Sequence, residues 1–144
     1  MAGIGEFMIN HHKQCDDLFA RAEEAAGGGD WTRAQSEFET FAGQMDRHFD
    51  MEENLLLPQF EQRTGHAGGP TMVMRMEHNQ MRVVIHEMRA AVEAKDAQQY
   101  LGQAETLLVL MQQHNFKEEG VLYNMIDQVL GGEVEKLVAQ LEAA

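Results

Sequence analysis

Two stretches of the chain carry the same donor groups. Residues 48–57 read HFDMEENLLL and residues 114–123 read HNFKEEGVLY, sharing the pattern His-x-x-x-Glu-Glu-x-x-Leu at an offset of 66 residues. The same offset relates His12 to His78 and Asp30 to Asp96. On an α-helix, residues i and i+4 lie one turn apart on one face. His48 with Glu52, and His114 with Glu118, are therefore each a nitrogen and an oxygen donor aimed in one direction. Imidazole plus carboxylate suits iron, zinc or manganese. Two such pairs supply two carboxylates that can bridge two cations and offset their charge. His12 and His78 complete four imidazoles, two for each metal.

Taken singly these residues say little, since a histidine on an apolar stripe is commonplace in a helical core. The joint pattern says more. Each of four helical segments carries one such histidine, at separations of 36, 30 and 36 residues. If successive helices reverse direction, these spacings put all four at similar depth. In the first segment either His11 or His12 could point inward. His12 shares its stripe with Met8, Cys15 and Phe19 and alone obeys the repeat, so His12 is the expected ligand and His11 a solvated neighbour. Ferritin-like di-iron bundles use Glu-x-x-His on two helices. No histidine here has a glutamate three residues before it, which sets that architecture aside.

The segments that must position these donors read as helices throughout. The opening MAGIGEF is a lead-in that becomes helical near residue 5, followed by apolar positions from Phe7 to Ala22 at three- and four-residue spacing. Gly27-Gly28-Gly29 ends this helix, and Asp30 can cap the second through its carboxylate. Trp31, Ala34, Phe38, Phe41, Met45, His48, Glu52 and Leu55 or Leu56 form the second stripe. Burying an unpaired carboxylate in such a stripe costs roughly several kcal/mol, so Glu52 requires a cation or a proton. Pro58 should bend or break this helix after Leu57.

Residues 63–70, RTGHAGGP, read as a turn holding a solvated His66, with Pro70 at a helix start. The third helix runs from about 70 to 94, with Met74, His78, Met81, Ile85 and Met88 inward. Asp96 caps the fourth, which carries Leu107, Met111, His114, Glu118, Val121 or Leu122, and Met125. Gly131-Gly132 closes it, and residues 133–143 form a short amphipathic fifth helix. Short loops between long helices predict an all-α, up-down-up-down four-helix bundle, with the fifth helix covering one end.

Composition narrows the function classes. At 144 residues, residues 1–144 read as one domain with a core of useful size. A net charge of −13 argues against nucleic acid or an anionic membrane as partner. No run approaches the roughly 18 apolar residues of a membrane span, and no signal peptide opens the chain. A single cysteine, Cys15, forbids an internal disulfide and fits a cytoplasmic protein.

His12 with Asp16, HFDMEENLLLP, MRMEHNQMR and HNFKEEGVLY together resemble the hemerythrin-like (HHE cation-binding) domain family, over nearly the whole chain up to about residue 130. The resemblance implies a four-helix bundle holding two iron ions as a non-haem di-iron centre, bridged by oxo or hydroxo. It marks His12, His48, Glu52, His78, His114 and Glu118 as metal ligands, with Glu52 and Glu118 bridging. The oxygen-carrying hemerythrins have His-x-x-x-His on the third helix, where this chain has Arg82 four residues after His78. The four-His, two-Glu set instead resembles the branch that includes iron-centre repair proteins. Those usually carry a cysteine-bearing N-terminal region, which this chain lacks.

The expected function is binding or reduction of a small oxidant: O2, NO or peroxide. The alternatives are an iron donor for repair of damaged iron centres, and a di-iron sensor or storage module. No protein partner is indicated. The five methionines between 72 and 88 read as adaptable core filler. Cys15 reads as a small buried hydrophobe, Tyr100 and Tyr123 as packing residues at the bundle ends, and Glu53 and Glu119 as mainly solvated. Under the repeat Asp16 corresponds to Arg82. The two either face each other above the site as a carboxylate–guanidinium pair or turn outward as surface charges.

Overall fold

The computed structural model describes residues 3–65 and 68–144, so His66 lies outside the described residues. The helices are α1 (Ile4–Gly27), α2 (Trp31–Met51), α3 (Leu57–Thr64), α4 (Pro70–Glu93), α5 (Ala97–Lys117), α6 (Tyr123–Leu130) and α7 (Val134–Ala143). A five-residue π turn joins α2 to α3 (Glu52–Leu56), and another joins α5 to α6 (Glu118–Leu122). The bundle therefore has four rods: α1, α2 running on into α3, α4, and α5 running on into α6. Hairpin neighbours α1 and α2, and α4 and α5, pack side by side; α1 also meets α5, and α2 meets α4. This is the expected all-α, up-down-up-down arrangement.

Both hairpin turns are built alike. After α1, Gly29 takes a left-handed conformation (φ 76°), the Asp30 amide donates back to Ala25, and the Asp30 carboxylate accepts from the Arg33 amide. After α4 the same turn is made by Lys95 at φ 54°, with the Asp96 amide on Ala91 and the Asp96 carboxylate on the Gln99 amide. Glycine enters this conformation freely, whereas a residue with a β-carbon is penalised. At its other end α1 is capped from a distance. Asp127 on α6 accepts from the Ile4 and Gly5 amides at 2.8 and 3.2 Å.

The π turns correct one expectation. Of the bend or break expected at Pro58, the break does not occur: the helix runs on through a π turn into α3. The Leu57 amide reaches back five residues to the Glu52 carbonyl, and the Tyr123 amide does the same to Glu118. The wider turn accommodates the missing proline N–H in the first rod. The second has Asn124 at the matching position, so proline is not its cause. One extra residue per turn shifts the inward face, and Leu56 with Leu57, like Leu122 with Tyr123, are adjacent pairs that are both buried. Val121 is exposed.

The core falls into two apolar clusters. One lies toward the hairpin turns and includes Cys15, Phe19, Phe38, Phe41, Phe49, Met81, Met88 and Tyr100. The other includes Ile4, Met8, Leu57, Phe60, Tyr123 and Ile126, and α7 closes it with Leu137, Val138 and Leu141. A polar layer separates them. Met74, Met81 and Met88 are the core filler expected, but Met72 and Met76 are exposed.

The Lys95 turn yields the first prediction. Lys95→Gly relieves the left-handed strain and should raise the unfolding free energy by about 1 kcal/mol. Chemical denaturation would read it, and an unchanged or lower midpoint would contradict it.

Candidate metal centre

The polar layer is the expected constellation. His12 comes from α1, His48 from α2, His78 from α4 and His114 from α5. Glu52 and Glu118 open the two π turns. All six are buried, none more than 4 % exposed. Turns of π-helix inside longer helices often mark functional sites, and here each begins at a candidate bridging carboxylate.

All four imidazoles point their Nε2 atoms inward. His12 Nε2 lies 3.0 Å from His48 Nε2 and 3.1 Å from Glu118 Oε1. His78 Nε2 lies 2.9 Å from Glu52 Oε1, and His114 Nε2 lies 3.2 Å from Glu118 Oε2. Glu118 thus turns one oxygen to His12 and the other to His114. Two groups result. Glu52, His78, His114 and Glu118 offer atoms all within 4.8 Å of one another, as do His12, His48 and Glu118.

The donor set suits metal cations. His114 Nε2 and Glu118 Oε2 are buried and, although within ion-pair distance of each other, make no hydrogen bond. Such atoms are costly without a partner. Two carboxylates and four imidazoles in an enclosed layer supply the donors that borderline divalent metals take.

The Nδ1 atoms point outward, and their partners revise the sequence reading. His12 donates to Glu119 at 2.7 Å, His78 to Glu53 at 2.6 Å, and His114 to Glu77 at 2.9 Å. Glu53 and Glu119 are therefore not mainly solvated: each orients a candidate ligand histidine of another helix. Carboxylates on Nδ1 leave Nε2 as the metal-facing atom and raise its basicity. The repeat carried the signal, since Glu53 and Glu119 obey the same 66-residue offset as the ligands. His11 is also corrected. It is 3 % exposed, with Nδ1 2.8 Å from His48 Nδ1 and Nε2 3.0 Å from Gln44 Oε1.

Arg82 does not meet Asp16. Its guanidinium grips Glu53 through two bonds, at 2.9 and 3.0 Å, and lies 4.9 Å over the Phe49 ring, while Asp16 is exposed. The guanidinium thus pairs with the carboxylate one residue past the candidate ligand Glu52, the same carboxylate that His78 contacts. Tyr123 is more than a packing residue, for its hydroxyl lies 2.9 Å from both Glu52 and Glu118 and 3.2 Å from His12 Nε2. The π turn rotates it inward. Tyr100 is the packing residue expected, set edge-on to Phe38.

Electrostatics of the layer follow from enclosed opposite charges. Burial would depress His48 and His114, but the carboxylates more than offset it, holding His48 up at about 9 and His114 at about 11. Burial would raise Glu52 and Glu118, and Glu52 raises Glu118 further, yet the facing imidazoles bring both below the usual range. Burial, with Glu118 and Glu52 facing it, pushes the Tyr123 phenol well above its ordinary value. Cys15 is buried and pushed up to about 12 by burial, which leaves it no thiolate at neutral pH.

A small cavity of about 10 Å³ touches the layer, lined by His12, His48, His114 and Asn115 together with Cys15, Met45, Phe49, Met81 and Met111. That is about the room one water requires.

The family is now defined. The hemerythrin HHE cation binding domain matches residues 4–126, and the chain belongs to that family. No curated protein and no solved structure matches it. No described helix is long and apolar enough to cross a membrane.

Metal binding must compete with protons here. The metal-free protein at pH 7.5 holds protonated His48 and His114, because both folded values lie above that pH. Imidazole ligates only when neutral. Binding should therefore release a proton from each, and affinity should fall as pH drops below about 11 and more steeply below about 9. Calorimetry in buffers of different ionisation enthalpy reads the protons; no buffer dependence would contradict the assignment.

Proposed function

We propose that this domain holds two iron ions with His12, His48, Glu52, His78, His114 and Glu118, and that it binds or reduces a small oxidant such as O2, NO or peroxide. The observation that carries the reading is a duplicated, inward-facing donor set bordered by a cavity sized for one small molecule. Iron so held would supply electrons and open coordination positions to such a ligand.

The chain's own residues prepare this chemistry. Glu119, Glu53 and Glu77 fix three of the imidazoles in the tautomer that presents Nε2. Glu52 and Glu118 share the central position and carry the negative charge that two cations require. Tyr123 keeps its hydroxyl proton and donates it to that carboxylate pair, limiting their freedom to swing. Met45, Met81, Met111 and Phe49 exclude bulk water, so an uncharged diatomic is the ligand the cavity suits best. Larger substrates do not fit it.

A cytoplasmic setting accords with the single buried thiol. The rival role, iron donation to damaged iron centres, rests on the four-His, two-Glu ligand pattern. Stopped-flow spectra of the diferrous protein with O2, NO and H2O2, run beside an iron-transfer assay to an apo acceptor, separate the two. Rapid spectral change with at least one oxidant and no transfer is expected. A diferrous protein inert to all three would overturn the reading, and efficient transfer would favour the rival.

A further inference from the structure

The four outward contacts of the ligand histidines obey the internal repeat, with one exception. Glu119 on the α5–α6 rod backs His12, and its counterpart Glu53 on the α2–α3 rod backs His78. Glu77, immediately before His78, backs His114 on the adjoining helix of its hairpin. The residue 66 positions earlier is His11, immediately before His12, and it backs His48 on the adjoining helix of the first hairpin. The placement of the contacts repeats between the two hairpins while the chemistry does not. Three histidines rest on carboxylates, and the fourth rests on an imidazole.

The tautomers along this fourth contact are determined by the chain itself. For Nε2 of His48 to ligate, its hydrogen must sit on Nδ1. That hydrogen is donated across 2.8 Å to Nδ1 of His11, which must therefore be bare. The hydrogen of His11 then sits on Nε2, where it meets the Gln44 amide oxygen at 3.0 Å. The His11 and His48 rings are coplanar within 3°, which aligns the two nitrogens. A neutral acceptor draws less on the Nδ1–H than a carboxylate does, so His48 is a weaker electron donor than the other three.

We infer that His11 is a positioning residue that makes the two metal positions unequal, leaving the one served by His12 and His48 the weaker and more exchangeable. The inference rests on the two-metal reading above. The spacing of the donors points the same way, since Glu52, His78, His114 and Glu118 gather as one group, while His12 and His48 gather with Glu118 and only His48 approaches Glu52, at 3.4 Å. The first metal to bind should occupy the His78–His114 position, and the second the position that His11 supports.

The test is a titration of the metal-free protein with Co²⁺, followed by absorption and calorimetry, on wild type, His11→Ala, His11→Gln and Glu77→Gln. Wild type should bind two ions in resolved steps. Loss of an outer hydrogen bond to a ligand histidine costs about 10–100-fold in affinity. His11→Ala should weaken the second step by that amount and leave the first unchanged. His11→Gln, whose amide oxygen can still accept from His48, should recover much of the second step. Glu77→Gln should weaken the first step instead. Mössbauer spectra of the diferrous protein provide an independent signature: two doublets, of which His11→Ala shifts one. Circular dichroism of each metal-free variant checks that the fold is kept; if His11→Ala unfolds, His11→Gln and Glu77→Gln still decide the assignment by the step each one moves. Equal affinities in wild type, or a His11 variant that weakens the first step or both steps alike, would overturn the inference. Uptake of no more than one ion by wild type would instead overturn the two-metal reading, and this inference with it.

Discussion

Two carboxylates, Glu52 and Glu118, sit fully enclosed at the centre of a helical bundle, and everything around them answers that fact. A buried carboxylate without a counter-charge costs several kcal/mol, on the order of what keeps a domain folded. In the metal-free protein the counter-charge is protonic, carried by His48 and His114. Cations of higher charge would meet the same requirement with better directed bonds. The enclosed charges of the layer depend on one another, and a metal that binds only the folded state would shift the equilibrium further toward it.

Two apolar clusters make that requirement strict. Phe49, Met81 and Cys15 lie on one side of the layer and Met8, Leu57 and Tyr123 on the other, so water has little access from either end. The outward route is taken by hydrogen bonds instead. His78 passes to Glu53 and on to Arg82, and His114 passes to Glu77 and on to Lys117 at the surface. The surface charges on these chains do more than solubilise the protein. They hold the outer carboxylates still, and those carboxylates hold the rings.

Much of this was legible in the sequence, for identifiable reasons. Repeated donors at helical spacing located the six candidate ligands, and the turn residues Gly29, Asp30 and Asp96 located the helix ends. The π turns were not foreseen, although they left a trace: Leu55 or Leu56, and Val121 or Leu122, could not be assigned to the inward face because the helical phase slips there. That slip also hid Tyr123, which a regular helix would not turn toward both carboxylates. The stripe and the 66-residue repeat select His12 over His11, and adjacent residues on one helix normally diverge by about 100°, so neither signal marks His11 as buried. Both it and His12 are buried because His11 packs toward α2 while His12 faces the centre. The role of Arg82 depended on which carboxylate it reached, and spacing along one helix carries no information about contacts across two.

The central claim is that the six residues hold two metals side by side, bridged by the glutamates that open the π turns. Anomalous diffraction at the iron edge from crystals loaded anaerobically with Fe²⁺ tests it most directly. The account predicts two peaks between Glu52 and Glu118, about 3.5–4 Å apart as in other two-metal sites, one beside His12 and His48 and the other beside His78 and His114. A single peak at full occupancy, or peaks bound to surface carboxylates with the buried layer empty, would contradict it.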